Sequence, residues 1–298
     1  MTIRFDGRTA IVTGAGGGLG RAYALELARR GAAVVVNDLG AARDGAGASP
    51  AADAVVEEIR AAGGIAIADG GDVTDEGAMA RMVERAREAF GSIDILINNA
   101  GVLRDKSFAN MTPADFEFVV RVHLIGSAIV TKAVWETMRF QRYGRILMTA
   151  SSSGLYGNFG QANYGAAKLG ITGLARTLHL EGAKYGIHVN TLAPTAGTRM
   201  TEDIFPAEAF ARFTPESVAP AALFLVSDEA PSNMIVGAGA GVFQAAYITL
   251  TEGVALAGED LSPEGVAAHW AAITDRARER VPQSGMEQAQ AILRLLTA

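Results

Sequence analysis

Three side chains between residues 151 and 168 have the types and spacing of an acid–base unit. In the run SSSGLYGNFGQANYGAAK a hydroxyl, Ser151, precedes a phenol, Tyr164, and an ammonium, Lys168. Tyr164 and Lys168 are four residues apart, so on a helix they share a face and the ammonium lies beside the phenol. A free tyrosine titrates near pH 10, and bringing it to about 7 requires about 4 kcal/mol in favour of the phenolate. A cation at about 4 Å supplies that order of energy at an effective dielectric of about 20. The chemistry this implies is removal of a substrate hydroxyl proton by Tyr164 while Ser151 hydrogen-bonds the same oxygen. Taken singly, Ser151 reads equally as a turn serine, Tyr164 as a surface phenol and Lys168 as a solvated helix residue. Their weight comes from occurring together.

The hydrophobic pattern gives the elements that must position them. Apolar, β-branched runs at 9–13, 33–37, 65–68, 93–98, 145–149 and 187–192 read as strands buried on both faces. Residues 18–30, 51–62, 75–90, 113–141 and 162–184 have helical length and period, with Asp72 and Thr74 before the third helix and a Thr112 cap and Pro113 opening the fourth. Repeated alternation predicts an α/β fold with a doubly wound parallel sheet flanked by helices. One domain is expected over residues 1–250, with a C-terminal helical extension at 251–298 that packs on its own or a partner subunit. Residues 40–50, rich in Gly and Ala, read as a flexible surface loop, and 195–215 as a candidate lid after a strand's carboxyl end.

Composition narrows the chemistry. A net charge of −6 over 298 residues argues against a nucleic-acid surface. No cysteine and four histidines exclude thiolate chemistry and make a histidine-built metal site unexpected. Without a signal peptide or an uninterrupted apolar span of membrane length, the expectation is a cytoplasmic protein with neither a membrane nor a nucleic acid as partner.

A cofactor site is written between the first strand and first helix. In TGAGGGLG, the glycines Gly14, Gly16, Gly18 and Gly20, with Leu19, permit a tight turn and bring backbone N–H groups toward a pyrophosphate at a helix N-terminus. Asp38 closes the second strand, beside Leu39. A carboxylate there accepts from ribose hydroxyls and repels a 2′-phosphate, which points to NAD rather than NADP, although Arg43 lies nearby. Asp72 and Val73 after the third strand, and Asn99, Ala100 and Gly101 after the fourth, are placed to line the same Rossmann-type crevice; Asp72 could instead cap the next helix.

With TGAGGGLG, NNAG and the Ser151, Tyr164 and Lys168 set, the chain resembles the short-chain dehydrogenase/reductase superfamily over residues 5 to about 250. Within it, GRAYALELARRGAAVVVNDLG, NNAGVLRD, RVHLIGS, YGNFGQANY and residues 194–200 resemble the (3R)-hydroxyacyl-CoA dehydrogenase domains of peroxisomal multifunctional enzymes of type 2 (17β-hydroxysteroid dehydrogenase type 4). The resemblance implies NAD-dependent interconversion of (3R)-3-hydroxyacyl-CoA and 3-oxoacyl-CoA. It assigns Ser151, Tyr164 and Lys168 as catalytic, and adds Tyr164, Lys168, Pro194 and Thr198 to the cofactor contacts. His123 occupies the slot where many members carry a proton-relay asparagine, and a packed, hydrogen-bonded histidine is an equal reading. Arg104, Lys106 and Arg199 are the basic residues expected near CoA phosphates, and Gly157, Asn158, Phe159 and Gln161 the expected entrance. With Leu-Thr-Ala as its last residues and not a peroxisomal address, the sequence is expected to be a free-standing relative without the hydratase and sterol-carrier domains. A homodimer or homotetramer is expected, through helices 113–141 and 162–184, where Ala166, Ala167 and Gly170 permit close approach. A 3-oxoacyl thioester reductase, a steroid or secondary-alcohol dehydrogenase, and a dinucleotide-binding redox sensor remain as alternatives.

Overall fold

The computed structural model describes residues 2–47, 49–197 and 211–297. Thr198 and Arg199, and most of the candidate lid, lie outside them. The chain divides into two compact units, Met1–Ala245 and Ala246–Ala298.

The first unit is built on a sheet of β1 (Thr9–Thr13), β2 (Ala33–Asn37), β3 (Ile65–Asp69), β4 (Ile95–Asn98), β5 (Gly144–Thr149), β6 (Ile187–Pro194), β7 (Ile235–Gly239) and β8 (Val242–Ala246). Their order is β3-β2-β1-β4-β5-β6-β7-β8, and the first seven run parallel. Alternate residues feed two apolar layers. Val12, Val34, Val36, Ile95 and Ile97 pack with Tyr23 and Leu27 of α1 (Gly18–Arg29) and Ile59 of α2 (Ala51–Ala61). Ile11, Val35, Leu96, Ile146 and Met148 pack on the opposite face, against α3 (Glu76–Phe90) and the helices that follow. Winding reverses between β1 and β4, and the crevice this leaves at the carboxyl ends of the strands is where such sheets hold ligands.

The single helix expected over 113–141 is divided. A regular helix α4 (Pro113–Val120), capped by Thr112 accepting from Asp115 N, gives way to a π-helical turn Arg121–Ile125 and then α5 (Gly126–Gln141). The wider turn directs His123 into the interior, where it is 1% exposed. Gly126 sits against Val73, where a Cβ would come 2.9 Å from Val73 Cγ2. The segment Pro113–Gln141 is apolar enough to span a membrane by composition, yet Val130, Val134 and Met138 are buried in the core. A short helix α6 (Ser152–Tyr156) and the long α7 (Ala162–Gly182) follow β5. On α7, Ala167 is buried and Gly170 faces Leu124 of the π turn, so of the three small residues only Ala166 is exposed.

The hydrophobic pattern missed β7 and β8 because glycines at 237 and 239 dilute it. Ala240 and Gly241 both have positive φ, the geometry of a two-residue hairpin turn, which returns β8 along the sheet edge. Asp75, not Asp72 or Thr74, caps α3 by accepting from Ala78 N; Asp72 instead accepts from Thr74 N at 2.8 Å in a local turn. In the second unit, Leu250 and Arg280 exchange backbone hydrogen bonds, and helices Pro263–Ala268, Trp270–Ile273 and Met286–Thr297 are short, with Ile292, Leu293 and Leu296 exposed.

One side chain holds β1 to the loop after β4. Thr13 Oγ1, buried, accepts from Asn99 N at 3.0 Å and Ala100 N at 3.1 Å. Thr13→Val removes the acceptor from both amides and should cost about 1–3 kcal/mol, read from urea unfolding, whereas Thr13→Ser should stay near wild type.

Candidate active site

Ser151, Tyr164 and Lys168 are brought together by β5, α6 and α7. Ser151 is the N-cap of α6, its hydroxyl accepting from Ser153 N at 3.2 Å, and it lies on the side of the Tyr164 phenol where it favours the phenolate. Lys168, 3% exposed, lies one turn after Tyr164 with its ammonium 5.5 Å from the Tyr164 ring centroid. That ammonium donates to Thr149 O at 2.6 Å, at the end of β5. Gly154 makes this packing possible, since a Cβ there would lie 2.7 Å from Lys168 Cβ.

The electrostatics differ from the expectation that the ammonium alone lowers the phenol. Burial pushes Tyr164 up to about 12; the Ser151 hydroxyl works against that rise, and the nearby Asp105 carboxylate adds to it. Burial likewise pushes Lys168 down to about 7. Desolvation disfavours the charged form of each group, while Lys168's hydrogen bond to Thr149 O keeps a partner for its ammonium.

His123 closes the other side. Its ring meets Tyr164 edge-on, with centroids 5.1 Å apart and planes at 87°. Nε2 lies 2.8 Å from Val102 O and 3.1 Å from Val102 N, so one backbone unit holds that nitrogen in either tautomer. Burial, then the Lys168 charge, push His123 down to about 3, and it is neutral. Its Nδ1 has no protein partner, nor do the buried Asn98 Oδ1 and Thr149 Oγ1 at the ends of β4 and β5. Gly101 must be glycine because a Cβ would overlap the imidazole.

The first turn of α7 is fastened to the segment after β4. Asp105 accepts from Gln161 Nε2 at 2.7 Å, Lys106 N donates to Gly160 O at 2.9 Å, and buried Asn163 donates through Nδ2 to Arg104 O at 3.1 Å. Sequence reasoning missed Asp105 and Asn163, whose roles arise only when these segments meet. Arg104 and Lys106, expected near CoA phosphates, both pair with Asp115, at 3.6 and 2.8 Å. The Lys106 ammonium helps hold the Asp115 carboxyl down at about 2. Phe159 and Tyr156, in contrast, are exposed beside this turn.

A cavity of about 390 Å³ opens next to these groups. It is lined by Gly14, Gly18, Leu19, Asp38, Leu39, Asp72, Val73, Asn99, Ala100 and Gly101, as expected, and also by Gly17, Asn37, Gly71, Val102 and Phe118, which were not foreseen. Gly16 and Gly20 instead serve the packing of the loop: a Cβ on Gly16 would come 2.8 Å from the Asp38 carboxyl, and one on Gly20 would overlap Gly14 O. Asp38 has two tasks, since Oδ2 accepts from Gly16 N at 2.7 Å and Oδ1 from Gly40 N at 2.6 Å. Asn99 Nδ2 donates to Thr13 O and Gly14 O, both at 3.0 Å, fixing the loop from the β4 side. Pro194 ends β6, and Thr198 lies outside the described residues. A crevice walled by glycines, with a carboxylate at the end of β2, suits the pyrophosphate and ribose of a dinucleotide. Among the described residues no group of three metal-ligating side chains is found.

A family model described as short chain dehydrogenase matches residues 8–209. The chain is 49% identical to peroxisomal multifunctional enzyme type 2 of Mus musculus, an alignment covering 99% of this chain and 40% of that protein. The solved structure of full-length peroxisomal multifunctional enzyme type 2 from Drosophila melanogaster superposes with a TM-score of 0.84 at 37% identity, covering 99% of this chain and 50% of the other. This chain therefore spans half or less of the length of these two relatives. The structure of 7α-hydroxysteroid dehydrogenase with NADH and 7-oxo glycochenodeoxycholic acid superposes with a TM-score of 0.72 at 31% identity, over 80% of this chain and 95% of that one.

The neutral His123 sets a stability slope. The unfolded chain takes up a proton near pH 6.5 that the folded protein refuses until about 3, so stability falls as pH drops through that window. By pH 4.5 the loss from this residue should be about 2–3 kcal/mol. His123→Gln should remove that component, flattening the difference in urea midpoint between pH 7 and pH 4.5.

Proposed function

We propose, on the premise that this chain belongs to the short chain dehydrogenase family and is an oxidoreductase of CH–OH groups using a nicotinamide dinucleotide, that it oxidises (3R)-3-hydroxyacyl-CoA to 3-oxoacyl-CoA with NAD. The observation that carries the reading is the gathering of Ser151, Tyr164 and buried Lys168, the ammonium 5.5 Å from the phenol ring and tied to Thr149 O at 2.6 Å, in the same unit as the glycine-walled crevice.

The bound dinucleotide supplies a hydride acceptor. Everything else falls to the chain. Ser151 donates to the substrate C3 oxygen and holds it against the Tyr164 hydroxyl. Tyr164 removes the hydroxyl proton as the C3 hydride departs. Because burial by itself holds the phenol up, it becomes a base only when further positive charge faces it. Lys168, held by Thr149 O, provides part of that charge and would be the residue to hold the cofactor ribose. His123, neutral and with an unpartnered Nδ1, takes up no proton itself; in this reading Nδ1 holds an ordered water through which the proton leaves toward solvent.

The preference for NAD rests on Asp38. Its oxygens already hold the glycine loop and Gly40, so a 2′-phosphate would meet a carboxylate that cannot swing away without loosening the loop. The choice of a CoA thioester rests on the multifunctional-enzyme relatives. The alternative of a steroid alcohol is favoured by the 7α-hydroxysteroid dehydrogenase likeness and the apolar side chains of Tyr156 and Phe159 at the entrance. Assembly into a homodimer or homotetramer, with residues 251–298 packed on the same or a partner subunit, completes the proposal.

Reduction of NAD and NADP should be followed with (3R)- and (3S)-3-hydroxyacyl-CoA of several chain lengths and with a steroid alcohol. The expected result is turnover of the 3R thioesters with NAD. Tyr164→Phe should lower kcat by about 10³-fold, while dinucleotide affinity changes less than about twofold. Near-normal turnover in that variant, or activity confined to the steroid, contradicts the assignment.

A further inference from the structure

The segment after β2 is not a free loop. Residues 41–46 fold on themselves: Gly45 N donates to Ala42 O at 2.9 Å, Ala42 N to Ala46 O at 2.8 Å, and Asp44 Oδ1 accepts from Ala46 N at 3.0 Å. Ala41, Ala42, Arg43 and Gly45 line the same cavity as Gly14, Asp38 and Ala100, so this turn forms one wall of the crevice. It is fastened at three points. Leu103 N donates to Arg43 O at 2.9 Å, and Arg104 Nε to Asp44 O at 3.4 Å. Gly45, with φ at +88°, lies so near Phe118 that a Cβ would come 2.7 Å from ring atom Cζ.

Arg104 is common to both sides of the site. Its guanidinium stacks over Phe118 at 3.9 Å and pairs with Asp115, while its carbonyl takes Asn163 Nδ2. Asn163 Oδ1 in turn accepts from Tyr164 N at 2.7 Å. One residue thus touches the turn over the crevice, α4 and the first turn of α7.

We propose that residues 41–46 are a strap that closes over the bound dinucleotide, and that Arg104 is the positioning residue that fastens it. The inference rests on the dinucleotide reading of the crevice. A dinucleotide held by Asp38 lies behind this strap, and it can leave only when the strap lifts from Leu103, Arg104 and Phe118. A partly exposed guanidinium on an aromatic face and one long hydrogen bond form a latch weak enough to open in each turnover. Arg104 accordingly governs how fast the cofactor leaves and does not contact the substrate.

The test is the dissociation rate of NADH or NADPH, whichever the wild type binds more tightly, followed by stopped-flow fluorescence. Arg104→Met keeps the aliphatic stem but loses the fork and its charge. Gly45→Ala strains the turn at φ +88° and crowds the Phe118 face on which Arg104 stacks, leaving the Arg104 side chain itself in place. Both should release the dinucleotide about tenfold faster, with the KM for the alcohol at saturating cofactor within about twofold of wild type. Arg104→Lys should recover only part of the loss, because it keeps the Asp115 pair but not the stack. Amides of residues 41–47 should gain hydrogen-exchange protection when the dinucleotide binds. Unchanged release in both variants overturns the strap. A rise in the KM for the thioester alone overturns it as well, and makes Arg104 a substrate contact. A wild-type protein that binds neither dinucleotide overturns the cofactor reading itself.

Discussion

A half-buried phenol and a buried amine lie side by side, and desolvation makes neither easy to charge. Desolvation raises the Tyr164 phenol to about 12 and lowers the Lys168 amine to about 7, so the resting pair tends toward neutrality. The surroundings temper this without reversing it: Ser151 favours the phenolate, Thr149 O holds the amine, and Asp105 opposes ionisation of the phenol. On the proposed mechanism, such a site acts as a base only once positive charge faces the phenol. That proposal couples basicity to cofactor occupancy, which the simple picture of a lysine lowering its neighbour's pKa does not contain.

The same logic explains how much of the polar structure serves placement. Thr13 and Asn99 pin the glycine loop to β1 and the end of β4, and Asp38 pins it to β2. The crevice is therefore held by strand ends on both sides of the switch point. The α7 turn bearing Tyr164 is held by Asn163, Gln161 and the Lys106–Gly160 bond. Dinucleotide site and acid–base site share the residue 99–106 segment, which runs from one to the other. Substitutions there should disturb both, while substitutions in α1 or α2 should disturb one.

The six expected strands were legible because short β-branched runs are bounded by turn residues, and their ends fell within a few residues of expectation; β3, at the sheet edge with Ile65 exposed, is not buried on both faces as expected. The positions of the glycine loop, of Asp38 and of the Ser151, Tyr164 and Lys168 set were legible because they follow from local spacing at strand ends and along one helix. Three features were not. The π turn at Arg121–Ile125 has no compositional mark; it follows from the need to bury His123 against Gly101. The glycines of β7 hid a strand, and those of residues 40–47 suggested looseness where they allow a tight turn against Phe118. Depression of Lys168 was invisible as well, because spacing gives proximity to Tyr164 but not the burial that neutralises both.

The central claim is that Tyr164 ionises near neutrality only with positive charge in the crevice. An ultraviolet difference titration of tyrosinate, wild type minus Tyr164→Phe, measures this directly with the oxidised and then the reduced dinucleotide bound. The account predicts a tyrosine titrating near neutral pH with the oxidised form and well above pH 10 with the reduced form. The same midpoint with both would contradict it.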